Sequence, residues 1–133
     1  MLALGRTTGE IEVYVWLPLI ERWKLAILIK AHRASLAVLK WYAMEQCTDS
    51  RTQQCKVYLA SGSVDGAVHV HDLSAIRAST ASLTSLEGPI APVTTSYRVF
   101  RGHRGAVTSL EWVLESPDSL PWLASTSVDR CLM

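Results

Sequence analysis

The sequence lacks a strong excess of charge of either sign, because 13 Lys and Arg residues stand against 12 Asp and Glu residues and leave a formal net charge of +1. No global field therefore favours nucleic acid or a membrane surface. Long apolar runs are also missing: the longest, Leu25 to Ile29, is far shorter than the roughly 20 residues that span a bilayer. Met1 runs into Leu-Ala-Leu-Gly-Arg without a basic leader, so no signal peptide is predicted.

Cysteine is scarce, with three residues at Cys47, Cys55 and Cys131. Their number is odd and no pair has the two-residue spacing of a zinc ligand pair, so neither a disulfide framework nor a zinc site is indicated. Reduced thiols are typical of a cytosolic or nuclear protein, and we expect a cytoplasmic location, with the nucleus as a second one. The composition predicts no cofactor.

One stretch, Leu59 to Leu73, organises the rest of the chain. Its first half alternates apolar and polar residues up to Ser63, and its second half alternates from Ala67. Between them, Val64-Asp65-Gly66 supplies an Asp-Gly turn of the kind that reverses a strand into its neighbour. The stretch is therefore predicted to be a β-hairpin.

The hairpin recurs. Leu123 to Arg130 repeats the first arm and the turn, and Leu2 to Tyr14 repeats both arms in a degenerate form. The residues before the hairpin recur as well: His32 is followed nine residues later by Trp41, and His103 nine residues later by Trp112. The repeating unit is His, strand, Trp, loop and hairpin.

These residues resemble the WD40 repeats, whose pattern is a Gly-His, an apolar strand and a Leu-Ala-Ser-Gly-Ser-x-Asp-Gly hairpin that ends in Trp-Asp. The middle copy departs from it with Ala31 before the His and with His71-Asp72 at the end. The resemblance implies an all-β fold of four-stranded antiparallel blades. A closed propeller needs roughly 4 to 8 blades, so we expect a partial WD40 β-propeller of about two to three blades, a fragment of a larger one.

The repeat also predicts the domain organisation. Residues 1–30 are the C-terminal part of one blade, 31–101 a complete blade with a Ser/Thr-rich loop at 74–96, and 102–133 the N-terminal part of a further blade. Residues 45–54 are polar and are predicted to be an exposed loop. Residues 24–41 also fit a helical spacing, but a helix there would remove His32 and Trp41 from their repeat positions.

The resemblance further implies a structural hydrogen-bond network in each blade, made of a loop His, a strand Ser, the turn Asp and the strand Trp. The Asp is expected to fix the imidazole tautomer, and the Ser hydroxyl to bond the second nitrogen. The first copy has Leu4, Thr8 and Tyr14 at these positions, so its network is expected to be largely absent. The predicted members are His32, Ser61, Asp65, His71, His103, Ser125 and Asp129.

Other functions for the same residues are disfavoured. A hydrolase triad would need a nucleophile elbow, and no Gly-x-Ser-x-Gly surrounds Ser61 or Ser125, so no catalytic residue is assigned. A zinc site at His69, His71 and Asp72 is less favoured than packing within a strand, so no metal ligand is assigned either. Four basic residues flank the two His turns and form a possible basic rim for phosphate, against which stands ordinary solvated charge. They are Lys30, Arg33, Arg101 and Arg104.

Within the WD40 proteins, the finer pattern is similar to the Elongator subunit 2 family, on the order of the blades and the long insertion before Gly102-His103. That resemblance implies a non-enzymatic scaffold for protein–protein interaction in a multiprotein complex that modifies wobble uridines of tRNA. Its partners would be other protein subunits, with tRNA only indirectly involved and no membrane or small-molecule substrate. The alternative is an adaptor in another assembly, such as a ubiquitin-ligase substrate receptor, and a zinc-binding or hydrolytic enzyme is the least favoured function.

Overall fold

The chain forms antiparallel β-sheets. The computed structural model describes residues 1–48, 52–76, 96–115 and 121–133. Within them lie three sheets, whose strand orders are β1-β2-β3, β4-β5-β6-β7 and β8-β9. The strands are β1 (Leu2–Gly5), β2 (Glu10–Leu17), β3 (Arg22–Lys30), β4 (Leu36–Thr48), β5 (Thr52–Ser63), β6 (Ala67–Asp72), β7 (Ser96–Arg101), β8 (Val107–Val113) and β9 (Trp122–Ser127).

The first sheet contains the degenerate copy of the hairpin. Strands β1 and β2 pair from Leu2 opposite Tyr14 to Gly5 opposite Ile11, and β3 pairs with the other side of β2. The turn between β1 and β2 places Gly9 at φ 86°, a conformation that costs glycine little because it has no Cβ. The helical alternative for residues 24–41 is wrong, because β3 and β4 occupy most of that stretch as strands.

The second sheet is a four-stranded meander. The β5–β6 hairpin turns at Gly66, whose φ is 83°, and Asp65 Oδ1 accepts a hydrogen bond from the Ala67 N–H at 3.0 Å. Strand β7 adds to β6, with Val68 opposite Phe100 and Val70 opposite Arg98. These elements are the predicted inner strand, hairpin and outer strand in the predicted order.

The polar stretch 45–54 is not the loop that its composition suggested. Strand β4 continues to Thr48 and β5 begins at Thr52, with Glu45 opposite Cys55 and Thr48 opposite Thr52. The prediction was wrong because ladder hydrogen bonds join backbone groups, and an extended hairpin tolerates polar side chains. The 74–96 segment is described only at its ends, where β7 begins at Ser96, so its predicted loop character lies outside the described residues.

The third sheet pairs β8 with β9, from Val107 opposite Ser127 to Val113 opposite Trp122. Its turn places Arg130, rather than a glycine, at φ 65°. Beyond the turn the chain returns along β9 through a single bridge between Thr126 and Leu132. The third sheet therefore repeats the first two strands of the second sheet and the start of a third.

Two apolar clusters join the sheets. The first packs β2 residues such as Ile11 and Val13 against Val57 and Leu59 of β5, with Trp41 beside them. The second is formed by Ala60, Val68, Val70, Val107 and Leu110, with Trp112 at its edge. The two faces of the second sheet thus carry different clusters, as expected of a blade between two neighbours. The fold is all-β, a partial WD40 β-propeller.

No helix in the described segments is long and apolar enough to cross a membrane.

Candidate functional site: the His–Ser–Asp sets

The third sheet holds its histidine on both ring nitrogens. His103 Nε2 lies 2.9 Å from Ser125 Oγ, and His103 Nδ1 lies 3.2 Å from Asp129 Oδ2. The carboxylate accepts from the ring N–H, which fixes the tautomer and leaves Nε2 to accept the serine proton. The predicted members in this sheet are therefore brought together, and the buried imidazole joins the loop to the strand and the turn.

Asp129 is held mainly by backbone groups. Its Oδ2 accepts from the Arg104 N–H at 2.7 Å and its Oδ1 from the Cys131 N–H at 2.9 Å. These two backbone hydrogen bonds, reinforced by His103, lower the pKa of Asp129 to about 2. The carboxylate is therefore ionised throughout the neutral range, and its lone pairs stabilise two chain reversals.

The middle sheet builds a different set. His32 Nε2 lies 2.9 Å from Ser61 Oγ, and His71 Nε2 lies 3.3 Å from the same oxygen. All three side chains are buried. A hydroxyl has one proton, so it donates to one imidazole and must accept from the other. Ser61 thus links two histidines, and His71 takes the position where the WD40 pattern has its Trp.

Asp65 does not join this set, contrary to the sequence prediction. Its Oδ1 accepts from the Ala67 N–H, and its own N–H donates to Ser63 Oγ at 3.4 Å. His32 Nδ1 is buried without a hydrogen-bond partner. The His69 ring lies against the His32 ring instead, with centroids 4.1 Å apart. The turn carboxylate is used inside its own hairpin, so it does not fix the tautomer of His32.

This environment disfavours charge on His32. The pKa of His32 is lowered to about 4, first by burial and then by the neighbouring His69, and Asp65 opposes this with a smaller upward shift. The pKa of His69 is also lowered, first by burial and then by Arg101. Both imidazoles are therefore neutral at pH 7.

The first sheet has no such set, as expected from its sequence. Leu4 is 46% exposed, Thr8 Oγ1 donates to Glu10 at 3.1 Å, and the Tyr14 hydroxyl donates to Glu12 at 3.1 Å. These contacts are local to one hairpin. The first sheet is instead joined to the second by backbone, since the His32 N–H donates to the Gly9 carbonyl at 3.0 Å.

Two serines that the sequence reasoning missed complete the loop contacts. Ser63 Oγ donates to the Ser35 carbonyl at 3.1 Å, and Ser127 Oγ donates to the Gly105 carbonyl at 2.9 Å. Each lies two residues after the serine that bonds the histidine. The signal was present, because both hairpin arms carry Ser at these two positions, but only the first Ser of each arm was assigned a role.

The geometry of the described residues does not support a metal site at His69, His71 and Asp72. The rings of His69 and His71 have centroids 6.1 Å apart. Asp72 Oδ1 accepts from the Ser74 N–H at 2.9 Å and from the Ser74 hydroxyl at 2.6 Å, so it closes a turn. Across the part of the chain that the structure describes, no three His, Cys, Asp or Glu residues are grouped to hold a metal ion.

The four residues of the predicted basic rim are all exposed. Arg101 lies close enough to His69 to lower its pKa, and Lys30 lies opposite Glu10 in the register of β2 and β3. Arg104 contributes its backbone N–H to Asp129. The arrangement places Arg101 beside the middle set, and phosphate binding by Lys30, Arg33, Arg101 and Arg104 remains a prediction.

The inner strands of the second and third sheets are joined by a polar and aromatic seam. The Trp112 indole N–H donates to the Lys40 carbonyl at 3.3 Å, and Lys40 Nζ lies 2.8 Å from a Glu111 oxygen. The Tyr42 ring packs 5.3 Å from the Trp112 ring. Trp112 is thus a packing residue between sheets, as Trp41 is on the opposite side of the second sheet.

The chain is similar to Gem-associated protein 5 of two species. No known protein-family profile matches the chain. It is 30% identical over 112 residues to mouse Gem-associated protein 5, a match that spans 84% of this chain and 6% of that protein. Against human Gem-associated protein 5 it is 29% identical over 129 residues, which are 97% of this chain and 7% of the relative. The chain therefore spans a small part of the relatives that it matches. Together with the repeated hairpins and their three sheets, this similarity supports the WD40 family for the chain.

Proposed function

We propose that this chain is part of a non-catalytic WD40 scaffold that holds other proteins in a multiprotein assembly. The observation that carries the proposal is how the polar side chains are used. The His103 set joins a loop, a strand and a turn, and a related His32 set recurs in the neighbouring sheet. Residues that recur to hold successive sheets together are used for architecture, whereas a catalytic site is seldom duplicated in adjacent blades.

The same reasoning gives each buried polar atom a structural value. A hydrogen bond in a partly buried site contributes about 0.5–1.5 kcal/mol, and leaving one partner bare costs about 1–3 kcal/mol. Ser61 is fully buried between two imidazoles, so removing its hydroxyl should cost the most stability among these residues. We therefore assign His32, Ser61, His71, His103, Ser125 and Asp129 to stabilisation of the blades, and Asp65 to its hairpin turn.

The domain bounds belong to the same proposal. The sheets end at Lys30, at Arg101 and with the β8–β9 pair, which supports a division into part of one blade, a whole blade and part of a third. The name of Gem-associated protein 5 describes a protein that associates with another cellular component, which supports an assembly role for this chain. We propose a cytoplasmic or nuclear location, supported by the cysteine pattern, which indicates reduced thiols. A narrower hypothesis, Elongator subunit 2, rests on the sequence pattern alone.

Affinity purification of the tagged chain, followed by identification of the proteins that co-purify, tests the proposal. The expected result is a small set of proteins in fixed ratio to the chain. A destabilised variant, Ser61→Ala, serves as the comparison. Its middle blade should unfold at a lower denaturant concentration, and it should lose the same partners. Recovery of Elongator subunits would favour the narrower hypothesis, and recovery of a cullin adaptor would favour the ubiquitin-ligase alternative. Recovery of no stable partner would overturn the scaffold proposal.

A further inference from the structure

The ring of His32 is a buried titratable group that a scaffold does not by itself require. It is 8% exposed, and among the described residues its Nδ1 has no hydrogen-bond partner. In the third sheet the equivalent atom of His103 lies 3.2 Å from Asp129 Oδ2. The two sheets therefore hold their histidines differently, and the difference determines which ring nitrogen carries the proton.

The unpartnered nitrogen indicates the tautomer of His32. Buried N–H groups without an acceptor are rare in proteins, whereas under-used acceptors are less so. His32 therefore carries its proton on Nε2, which donates to Ser61 Oγ at 2.9 Å. Ser61 then donates its own proton to His71 Nε2 at 3.3 Å. This order is the reverse of that in the third sheet, where Ser125 donates to His103.

Charged and titratable groups face His32 from three elements of the second sheet. His69 on β6 lies on the His32 ring, with centroids 4.1 Å apart and planes inclined at 33°. His71, also on β6, shares the same serine hydroxyl, Arg101 on β7 adds a positive charge, and Asp65 in the turn adds a negative one. The stack requires neutral rings, because two imidazolium cations at that distance repel each other and Arg101 opposes both.

Asp65 occupies the position in its hairpin that Asp129 has in the next one. Its Oδ1 accepts from the Ala67 N–H at 3.0 Å, as the Oδ1 of Asp129 holds the corresponding turn. That backbone hydrogen bond is the main reason why the pKa of Asp65 is lowered, so the carboxylate stays ionised in mild acid. Asp65 is therefore a charged acceptor beside His32, in the position from which Asp129 serves its own histidine.

The loop that carries His32 joins the first and second sheets. The His32 N–H donates to the Gly9 carbonyl at 3.0 Å. The carbonyl oxygens of His32 and Ala34 lie so close to Gly9 that a Cβ there would overlap them. A change in how the His32 ring is held therefore acts on the contact between the two sheets.

We propose that His32, His69 and Asp65 form a proton-controlled latch on this loop. In the neutral form, His32 donates from Nε2 to Ser61, and its stack on His69 holds the ring away from Asp65. When His32 takes one proton from solvent onto Nδ1, that N–H donates to Asp65, and His69 leaves the stack toward solvent. The two forms bind the proton with different affinity, so acidification shifts the population between them. The latch goes beyond the scaffold function and does not depend on what the scaffold binds.

The size of the shift follows from the two proton affinities. In the stacked form the pKa of His32 is about 4, against an ordinary value of 6.5. A ring that donates to an ionised carboxylate has at least the ordinary pKa. Acidification from about pH 7.5 to about pH 3.5 therefore shifts the ratio of the two forms by roughly 200-fold toward the Asp65-bound form.

Imidazole nitrogen chemical shifts of the isotope-labelled full chain, followed by NMR across that pH range, test the latch. At about pH 7.5 we expect His32 as the Nε2–H tautomer and His103 as the Nδ1–H tautomer. On acidification, the Nδ1 proton of His32 should appear as a hydrogen-bonded N–H while the chain stays folded. The ring resonances of His69 should move with the same midpoint.

Variants separate the two arms of the latch. Asp65→Asn should lower the midpoint of His32 by at least about one pH unit, because the charged acceptor is lost. Asp129→Asn, the same change in the next hairpin, is the matched control and should leave that midpoint unchanged. His69→Ala should convert His32 to the Nδ1–H tautomer at about pH 7.5, since no stack then holds the ring away from Asp65. Val99→Ala, opposite His69 in the register of β6 and β7, should not.

The unmodified chain decides the outcome even where a variant does not fold. An Nδ1–H tautomer of His32 at about pH 7.5 overturns the proposal. Titration of His32 while the His69 resonances stay unchanged overturns it as well, because the stack would then survive the charge. Unfolding of the chain while His32 is still neutral has the same consequence, since no folded protonated form would exist.

Discussion

Replacing Gly66 with alanine should separate the second and third sheets. Gly66 has a φ of 83°, and an L-residue in this left-handed region costs about 1–2 kcal/mol. A Cβ there would lie 2.5 Å from the carbonyl oxygen of His103, which is backbone and has no rotamer to change. Relieving that overlap requires the two sheets to shift, at about 1–3 kcal/mol.

The two contributions together predict that Gly66→Ala lowers the free energy of unfolding by about 2–5 kcal/mol. Urea unfolding followed by circular dichroism is the assay. With a dependence of about 2 kcal/mol per molar urea, the midpoint should fall by about 1 M or more. Loss of the folded baseline altogether would be the extreme form of the same result.

Gly102→Ala is the matched control. A Cβ on Gly102 would meet the sulfur and methyl carbon of Met133, at 2.6 and 2.9 Å, which are the end of a flexible side chain. Its φ is not in the left-handed region, so the substitution should cost under about 1 kcal/mol. If the midpoint of Gly66→Ala falls no further than that of Gly102→Ala, the argument from the turn and the carbonyl is refuted.

Three further predictions concern the turns and the sets. Arg130→Gly should raise the unfolding free energy by up to about 1 kcal/mol, because Arg130 has a φ of 65°, and an unchanged urea midpoint would contradict this. Asp129 has its pKa lowered to about 2 in the folded chain, so its contribution is present above about pH 4 and is lost as pH falls toward 2; Asp129→Asn should abolish that slope in acid titrations of stability. His32 has its pKa lowered to about 4, so the unfolded chain binds more protons between about pH 6.5 and 4; stability should fall across that window, and less so in His32→Gln.

The fold could be predicted because the amino-acid sequence of the hairpin is repeated along the chain. Alternation with an Asp-Gly turn specifies a two-stranded unit, and its recurrence specifies neighbouring units that pack face to face. The length of β4 could not be predicted, because residues 45–48 and 52–54 are mostly polar and backbone pairing does not depend on side-chain polarity. The length of β4 is set by its backbone pairing with β5, which is a property of both strands together.

The candidate site was predictable in part for a related reason. Residue identity placed His103 near Ser125 and Asp129, and the geometry agrees in that sheet. The same residue types, His, Ser and Asp, form a different arrangement in the middle sheet. There a second ring, that of His69, packs on His32. A repeat pattern predicts which positions meet, whereas the tautomer and the hydrogen-bond partner depend on neighbours outside the pattern.

The contrast between the two sets bears on how the sheets depend on one another. Within the third sheet, His103 joins a loop to a strand and a turn by side-chain hydrogen bonds, while the carbonyl of the same residue lies against Gly66 of the second sheet. The His32 loop occupies the equivalent place against Gly9 of the first sheet. Each histidine loop is therefore shared between two sheets, one held through its side chain and the other through its backbone. A change that loosens the His103 loop must then weaken the second sheet as well as the third, which is the nearest-neighbour coupling that a repeat architecture requires.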